Sequence, residues 1–259
     1  YFILSMVTGI IPTSVSLRAN LKWFLLVWIL GSIAFWPHRF GGRTKVSDWR
    51  LQFINVQHGT AVLMELPDGG IWLYDAGSLT DHQFAGREIA DVLWSRGHSR
   101  LDGIFVSHAD LDHFNAIPFL LERFGCDRVM LSEPMHRKLF GGMLNHRGRA
   151  ESFLAAQLLE YVESIDSLQE GDLVQLGVGQ FQVLGPRAGV QYESDNDASL
   201  VLLLKFHGIS VLLPGDIEAQ GITQVMQFPL APCDVVMLPH HGSIHSNPER
   251  FSHWSQPRY

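Results

Sequence analysis

The chain has 259 residues, of which 46% are hydrophobic and 17% are charged, and its formal net charge is −7. This composition excludes an intrinsically disordered chain and leaves room for a sizeable core. Two cysteines exclude a disulfide framework. Residues 1–50 hold one acid and six bases, so the remaining residues hold 25 acids and 13 bases. The acidic remainder, called the body below, argues against a broad phosphate-binding surface. The basic charge of residues 1–50, the head of the chain, indicates that this part lies in a different environment from the body.

The head of the chain is predicted to lie in a membrane. Residues 1–17 carry no charge, and residues 23–36 form an uncharged apolar run with tryptophan at both ends. A helix over residues 21–36 would be about 24 Å long, a little shorter than a hydrocarbon layer of about 30 Å. We expect transmembrane helices at residues 1–36, at the end of a larger membrane region, and a linker at residues 37–49. A buried helical hairpin of a soluble protein is the alternative.

The body, residues 50–259, alternates short strand patterns with helix patterns. Period-two alternation and turn residues predict strands at residues 51–56, 60–66, 71–75, 101–107, 127–132, 173–177, 181–186, 199–206, 209–215 and 234–239. Helical spacing of apolar residues predicts helices at residues 86–97, 113–124 and 150–168, near 217–227 and near 248–254. Two β-rich halves with interspersed helices predict an α/β fold, an αββα sandwich.

Residues that can bind metal ions follow four of these strands. The groups are Asp75, then His108-Ala109-Asp110-Leu111-Asp112-His113, then Asp216, then His240-His241-Gly242-Ser243. Functional sites in α/β proteins gather beyond the carboxyl ends of strands. These side chains are therefore expected to meet at one edge of the sandwich.

The segment from His108 to His113 is the most specific of these signals. It places two imidazoles and two carboxylates in six residues, and mixed nitrogen and oxygen donors suit zinc, manganese or iron. Taken alone, the segment could be a solvated loop with a helix cap, Asp216 could cap a helix, and the histidine pair could be a turn. Their joint occurrence favours a metal centre. Asp75 could lie beside the metal or be structural.

The HxDxDH cluster, a Gly-Asp pair after an apolar strand and the later PHHGS segment resemble the metallo-β-lactamase superfamily. The PHHGS form and the segment 196–201 resemble its ComEC branch, a family of DNA-internalisation proteins, over roughly residues 50–255. The resemblance implies a multi-pass inner-membrane protein that transports single-stranded DNA, with a hydrolase domain that degrades DNA on the outer, periplasmic side. The basic residues after the second apolar run favour the cytoplasmic side instead.

Carried over by position, the resemblance implies a set of metal ligands: His108, Asp110, Asp112, His113, Asp216 and one of His240 or His241. It implies two divalent ions, Zn²⁺ or Mn²⁺, with Asp216 between them. Asp112 and Asp216 are the expected catalytic residues, and Asp112 is the candidate to orient the attacking water or accept its proton. Asn196 and Ser199 match a segment where other members often place a further histidine. Together with Asp75 and Ser243, they are expected to support the site.

The sequence departs from the family pattern in its first motif. That motif reads roughly DVGQGDA, and two of its carboxylates are replaced here by Asn55 and Thr60. We expect a metal-dependent nuclease with single-stranded DNA, the membrane and other competence proteins as partners. Two alternatives stay open: a hydrolase of small esters, lactones or phosphoesters on the same fold, and a non-catalytic transport subunit. The sandwich should need further strands after residue 259, so we expect the chain to be C-terminally truncated.

Overall fold

The computed structural model describes residues 21–30, 46–141, 148–177, 179–229, 232–246 and 248–259. The chain divides into two compact units, Tyr1–Gly42 and Arg43–Tyr259. In the first unit, residues 21–30 form a helix. Among the described residues, no helix combines the length and the hydropathy that a membrane crossing requires. The other residues of the predicted membrane segment lie outside the described part of the chain.

The second unit alternates strands and helices. Its strands are β1 (Arg50–Phe53), β2 (Ala61–Glu65), β3 (Ile71–Ala76), β4 (Leu101–Val106), β5 (Cys126–Ser132), β6 (Val162–Leu168), β7 (Leu173–Leu176), β8 (Gly179–Gly185), β9 (Val201–Phe206), β10 (Ile209–Leu213) and β11 (Val235–Val236). Its α-helices are α1 (His82–Ser95), α2 (Leu111–Phe114), α3 (Ile117–Phe124), α4 (Glu133–Phe140), α5 (Arg149–Tyr161), α6 (Ala219–Val225) and α7 (Pro248–Ser255).

These strands form two sheets, and each sheet uses one continuous part of the chain. The first sheet has the order β1-β2-β3-β4-β5-β6, and the second has the order β11-β10-β9-β8-β7. In the first sheet, β1 to β3 are antiparallel and β3 to β6 are parallel. The second sheet is antiparallel except for the parallel pair β10 and β11. The parallel pairs place the carboxyl ends of neighbouring strands side by side.

Three apolar layers hold these sheets and helices together. In β3, Leu73 faces the core under the helices, whereas Tyr74 faces the core between the two sheets. In β9, Leu202 faces the core between the sheets, and Leu203 faces a third core that contains residues of α6 and α7. Strands buried on both faces need continuous apolar runs, which the sequence supplies. The predicted αββα layering is confirmed.

Gly103 shows how tightly side chains pack on the first sheet. It lies in β4 beside Trp72 of β3, and a Cβ atom at this position would overlap the indole ring of Trp72. A protein interior packs as densely as an organic crystal, so such an overlap forces a shift of the ring or the strand. The large indole and the glycine are therefore complementary neighbours.

Some predicted elements were wrong. The helix expected at residues 150–168 ends at Tyr161, and Val162–Leu168 is the edge strand β6, which pairs in parallel with β5. Its polar residues are compatible with a helix, so pairing with a distant strand decides the outcome. The helix expected at 113–124 is two helices, α2 and α3, and the strand at 234–239 shortens to β11. Helix α4 was not predicted.

The core between the sheets should contribute strongly to stability. Phe181 of β8 is fully buried there and its ring packs against Phe105 at 5.3 Å between centroids. Phe181→Ala should lower the free energy of unfolding by about 3–5 kcal/mol, because it leaves a cavity. Leu173→Ala, on the neighbouring strand and 60% exposed, should change it by less than about 1 kcal/mol. Urea unfolding measures both, and equal losses would contradict this assignment of the core.

Candidate metal centre

The strand ends bring the predicted site residues to one edge of the sandwich. Asp75 is the second-last residue of β3, the segment 108–113 follows β4, Asp216 follows β10, and the histidine pair follows β11. Two glycines let the surrounding loops meet there. A Cβ atom at Gly59 or Gly77 would overlap backbone atoms of the neighbouring loops, including those of Asp112. The close approach of the backbones therefore requires glycine at both positions.

Four of the predicted residues form one compact cluster: Asp112, His113, Asp216 and His241. Each offers one ligand atom, and these atoms lie within 4.8 Å of one another. His113 Nε2 is 3.2 Å from Asp216 Oδ2, and His241 Nε2 is 3.3 Å from Asp112 Oδ2. Two imidazole nitrogens and two carboxylates are a donor set that Zn²⁺ and Mn²⁺ accept.

His108 and Asp110 lie beside this cluster. Their Nε2 and Oδ2 atoms are 3.6 Å apart, and the rings of His108 and His113 are 4.2 Å apart between centroids. The Nε2 atoms of both histidines are buried and have no hydrogen-bond partner among the described residues, and the carboxylate oxygen Oδ2 of Asp216 lies 3.2 Å from that of His113. A buried polar atom without a partner is costly and needs an explanation. A bound cation supplies one, so the residues fit a divalent metal.

Asp75 holds His113 from the side away from the cluster. Its carboxylate is fully buried, lies 2.8 Å from His113 Nδ1 and accepts hydrogen bonds from the backbone and hydroxyl of Ser107. A partner on one imidazole nitrogen fixes the ring and directs the other nitrogen towards a metal. Of the two roles left open for Asp75, its contacts favour support of a ligand over direct binding.

Two serines hold His108 in the same way. Ser107 Oγ is 2.9 Å from His108 Nδ1, and Ser199 Oγ is 3.3 Å from the same atom. Ser199 Oγ also accepts a hydrogen bond from the backbone N–H of Asp216. Sequence reasoning missed Ser107, although its position directly before His108 was a signal. It found Ser199 through the resemblance alone.

The two adjacent histidines point to different groups. His241 belongs to the cluster, whereas His240 Nδ1 lies 2.8 Å from Glu218 Oε1. Both have left-handed backbones, with φ values of 49° and 53°, a conformation that residues other than glycine adopt at a cost. Asn196 donates a hydrogen bond to Glu218 rather than reaching the cluster. Glu218 itself was missed, because no strand end or motif marked it.

The predicted residue Ser243 and the two substituted residues of the first motif lie outside the cluster. Ser243 Oγ accepts a hydrogen bond from the backbone of His245 and so belongs to the turn after the histidine pair. Thr60, in the altered first motif, is buried and donates its backbone N–H to the carbonyl of Asp112. Asn55 is exposed and accepts a hydrogen bond from Gln57. The altered motif therefore supports the backbone of Asp112, and its two substituted side chains are not part of the cluster.

The cluster is electrostatically coupled. Burial alone would raise the pKa of Asp216, but contact with His113 and its charge outweigh burial and hold the pKa at about 2. Burial alone would lower the pKa of His113, but the charges of Asp75 and Asp216 raise it well above 6.5. The negative charges around His113 therefore favour a positive charge at its ring, either a proton or a bound cation.

Metal content should depend on Asp216 more than on Asp75. Asp216→Ala removes a cluster carboxylate, so we expect the loss of at least one metal equivalent. Asp75→Ala leaves every cluster donor in place but frees the His113 ring, so stoichiometry should persist while affinity falls by about 10–100-fold. Elemental analysis and competition with a chelating dye measure the two quantities. Equal metal content and affinity in the two folded variants would contradict these roles.

The chelated protein should lose stability as pH rises. A group whose pKa is raised by folding stabilises the protein below its unfolded value, here 6.5, and this stabilisation is lost as pH rises through the folded value. Between these two pKa values, deprotonation of His113 should lower the free energy of unfolding by up to about 1.4 kcal/mol per pH unit. Urea unfolding in chelator measures it, with His113→Gln as the variant that should flatten the profile. Identical profiles for both proteins would refute the coupling.

Comparison with known proteins identifies the family to which the fold and the candidate metal centre belong. The family model for the metallo-β-lactamase superfamily matches residues 54–249. ComE operon protein 3 of Bacillus subtilis strain 168 is 29% identical and covers 82% of this chain, which spans 28% of that protein. Recombination protein 2 of Haemophilus influenzae is 31% identical and covers 78% of this chain, which spans 22% of it. The chain thus spans about a quarter of the length of these relatives.

Solved structures share the fold at low sequence identity. A metallo-β-lactamase with a HARLDQ motif from Cronobacter sakazakii superposes with a TM-score of 0.51 at 14% identity, covering 83% of this chain and 92% of the other. The subclass B3 metallo-β-lactamase MEM-A1 from a soil metagenome library gives 0.51 at 14% identity, covering 82% and 90%. With a family model that matches most of its length and the same two-sheet sandwich, the chain belongs to the metallo-β-lactamase superfamily.

Proposed function

We propose that residues 50–259 form the hydrolase domain of a ComEC-like DNA-uptake protein and cleave phosphodiesters of single-stranded DNA. One observation carries the proposal. The Nε2 atoms of His108 and His113 are buried without partners, and the carboxylates of Asp112 and Asp216 lie at the same edge. Membership of the metallo-β-lactamase superfamily points to a metal-dependent hydrolase, and these donors fit divalent ions.

The residues would hold two divalent ions, Zn²⁺ or Mn²⁺. His108 and Asp110 would serve one, and Asp112, His113 and His241 the other, with Asp216 shared. When bound, such ions lower the pKa of water and neutralise phosphate charge. The second effect matters here, because a body with 25 acids and 13 bases would otherwise repel a phosphodiester.

Asp112 is the residue of this chain best suited to handle the proton of the attacking water. Burial alone would raise its pKa, but the hydrogen bond from His241 outweighs burial, so the pKa is lowered and the carboxylate is ionised at neutral pH. An ionised carboxylate at the cluster can orient a water molecule and accept its proton. The backbone hydrogen bond from Thr60 to the carbonyl of Asp112 helps to fix its position.

The substrate class and the location rest on the relatives and on the sequence. The names ComE operon protein 3 and Recombination protein 2 support DNA as the substrate and other competence proteins as partners. The uncharged runs in residues 1–36 support an anchor in the inner membrane, with residues 37–49 as the linker. The ComEC resemblance favours the outer, periplasmic side for the domain.

The purified chain should hydrolyse single-stranded DNA in the presence of Mn²⁺, and a chelator should abolish this hydrolysis. Asp112→Ala should reduce the rate by about 100-fold or more, because it removes a ligand and the candidate base. Asp91→Ala removes an equal charge from the exposed face of α1 and should keep full activity. A fluorescently labelled oligonucleotide resolved on a gel gives the rates.

Three outcomes would redirect the assignment. Activity that survives both chelator and Asp112→Ala would belong to a contaminant. Cleavage of small esters or phosphoesters but not of DNA would favour the alternative hydrolase. A folded, metal-loaded protein without turnover on any of these substrates would favour the non-catalytic transport subunit, and the replacements Asn55→Asp and Thr60→Asp would then test whether the altered motif is the cause.

A further inference from the structure

A cleft of about 420 Å³ opens beside the metal centre on the side of helix α5. It is lined by the carboxylate residues Asp110 and Asp112 and by Arg149, the first residue of α5. A second cleft of about 310 Å³ contains Asp216 and His241. The two clefts share no lining residue, yet each includes residues of the candidate metal centre. A substrate bound at the candidate metal centre therefore has room in two separate clefts.

Arg149 differs from most other basic residues of the domain. Arg96, Arg100 and Lys138, for example, each form an ion pair with a carboxylate. Across the described ranges of the chain, Arg149 forms none. Among the described residues that line the two clefts, it is the only arginine or lysine. Its charge is thus available in a cleft whose other charged groups are acidic.

Apolar side chains and the acidic residue Glu151 form the remaining surface of the α5 cleft. Leu79 is 55% exposed and Leu111 is 44% exposed, and both line the cleft with Arg149. Exposed apolar side chains beside one guanidinium suit a ligand that has an anionic group and a flat or apolar part. A nucleotide has both, since a guanidinium binds phosphate through two parallel hydrogen bonds and apolar side chains pack against sugar and base.

We propose that Arg149 binds a phosphate next to the one that is cleaved, so that the site takes a nucleic-acid strand rather than a compound with a single phosphate. The proposal rests on the proposed nuclease function and adds its substrate-positioning residue. Ions held by the candidate metal ligands would take the scissile phosphate, and Arg149 fixes the neighbouring phosphate in the α5 cleft. Arg149 does not touch the reacting atoms, so its contribution is to binding rather than to the chemical step.

The test measures binding and turnover separately on the full chain loaded with Mn²⁺. Anisotropy of a labelled phosphorothioate oligo(dT), which keeps its charge and resists cleavage, gives Kd as a function of salt. Arg149→Ala should raise Kd by about tenfold and reduce the slope of log K against log salt by about 0.7, the value for one phosphate contact on a single strand. Arg149→Lys should restore the slope and only part of the affinity, because lysine binds phosphate as a point charge.

Arg87→Ala is the matched control. Arg87 is exposed on α1, where its Nε donates to the carbonyl of Gln83, so its removal changes the net charge equally without changing the cleft. It should alter Kd by less than about twofold. In the turnover arm, Arg149→Ala should raise KM for oligo(dT) by about tenfold with little change in kcat. Neither constant should change for bis(p-nitrophenyl) phosphate, which has one phosphodiester.

The outcomes separate this inference from the nuclease proposal. DNA cleavage with equal slopes in the wild type and Arg149→Ala would overturn the phosphate contact and leave the nuclease standing. The expected loss of binding without cleavage of any phosphodiester would support the contact and refute the nuclease. Absence of oligo(dT) binding by the wild type, or an equal loss in Arg87→Ala, would overturn the inference.

Discussion

The candidate site depends on the buried carboxylate of Asp75. A fully buried charge is tolerated only when its oxygens have partners, and here those partners are the backbone and hydroxyl of Ser107 and the ring of His113. The same serine faces His108, and its carbonyl accepts a hydrogen bond from the backbone N–H of Leu200, directly before β9 of the second sheet. One carboxylate thus orients both buried histidines and acts at the point where the two sheets join.

The connection between the sheets continues through Gly215. Its left-handed backbone, with φ of 61°, brings Asp216 to the cluster, and a Cβ atom there would press on Ser199 and Ser107. The Gly-Asp pair is therefore a requirement of both conformation and space. In contrast, His240 and His241 themselves have the left-handed backbone conformation, although neither is glycine. The surrounding backbone must hold that strained turn, and the hydrogen bond from His240 N–H to the Gly215 carbonyl contributes.

Much of the fold and of the site could be predicted from the sequence, because both depend on local patterns. Apolar runs mark strands that are buried on both faces, and the residues that follow them reach one edge of the sandwich by topology. What could not be predicted depends on contacts between distant segments. Ser107 gains its role only when the end of β3 and the start of β9 meet it, and Glu218 gains its role only when His240 comes into contact with it. Strand β6 needs β5, 30 or more residues earlier, to become a strand.

The order of strands has a consequence for assembly. Each sheet is built from one uninterrupted half of the body, with β1 to β6 in the first and β7 to β11 in the second, so strand pairing within a sheet uses no strand of the other half. The candidate metal ligands come from both halves: Asp112 and His113 follow β4 of the first, and Asp216 and His241 belong to the second. An ion that binds ligands from both halves stabilises only the state in which the two halves are packed together. Metal binding would therefore couple the two halves into one cooperative unit. Occupancy of the metal centre would therefore mark the completion of folding.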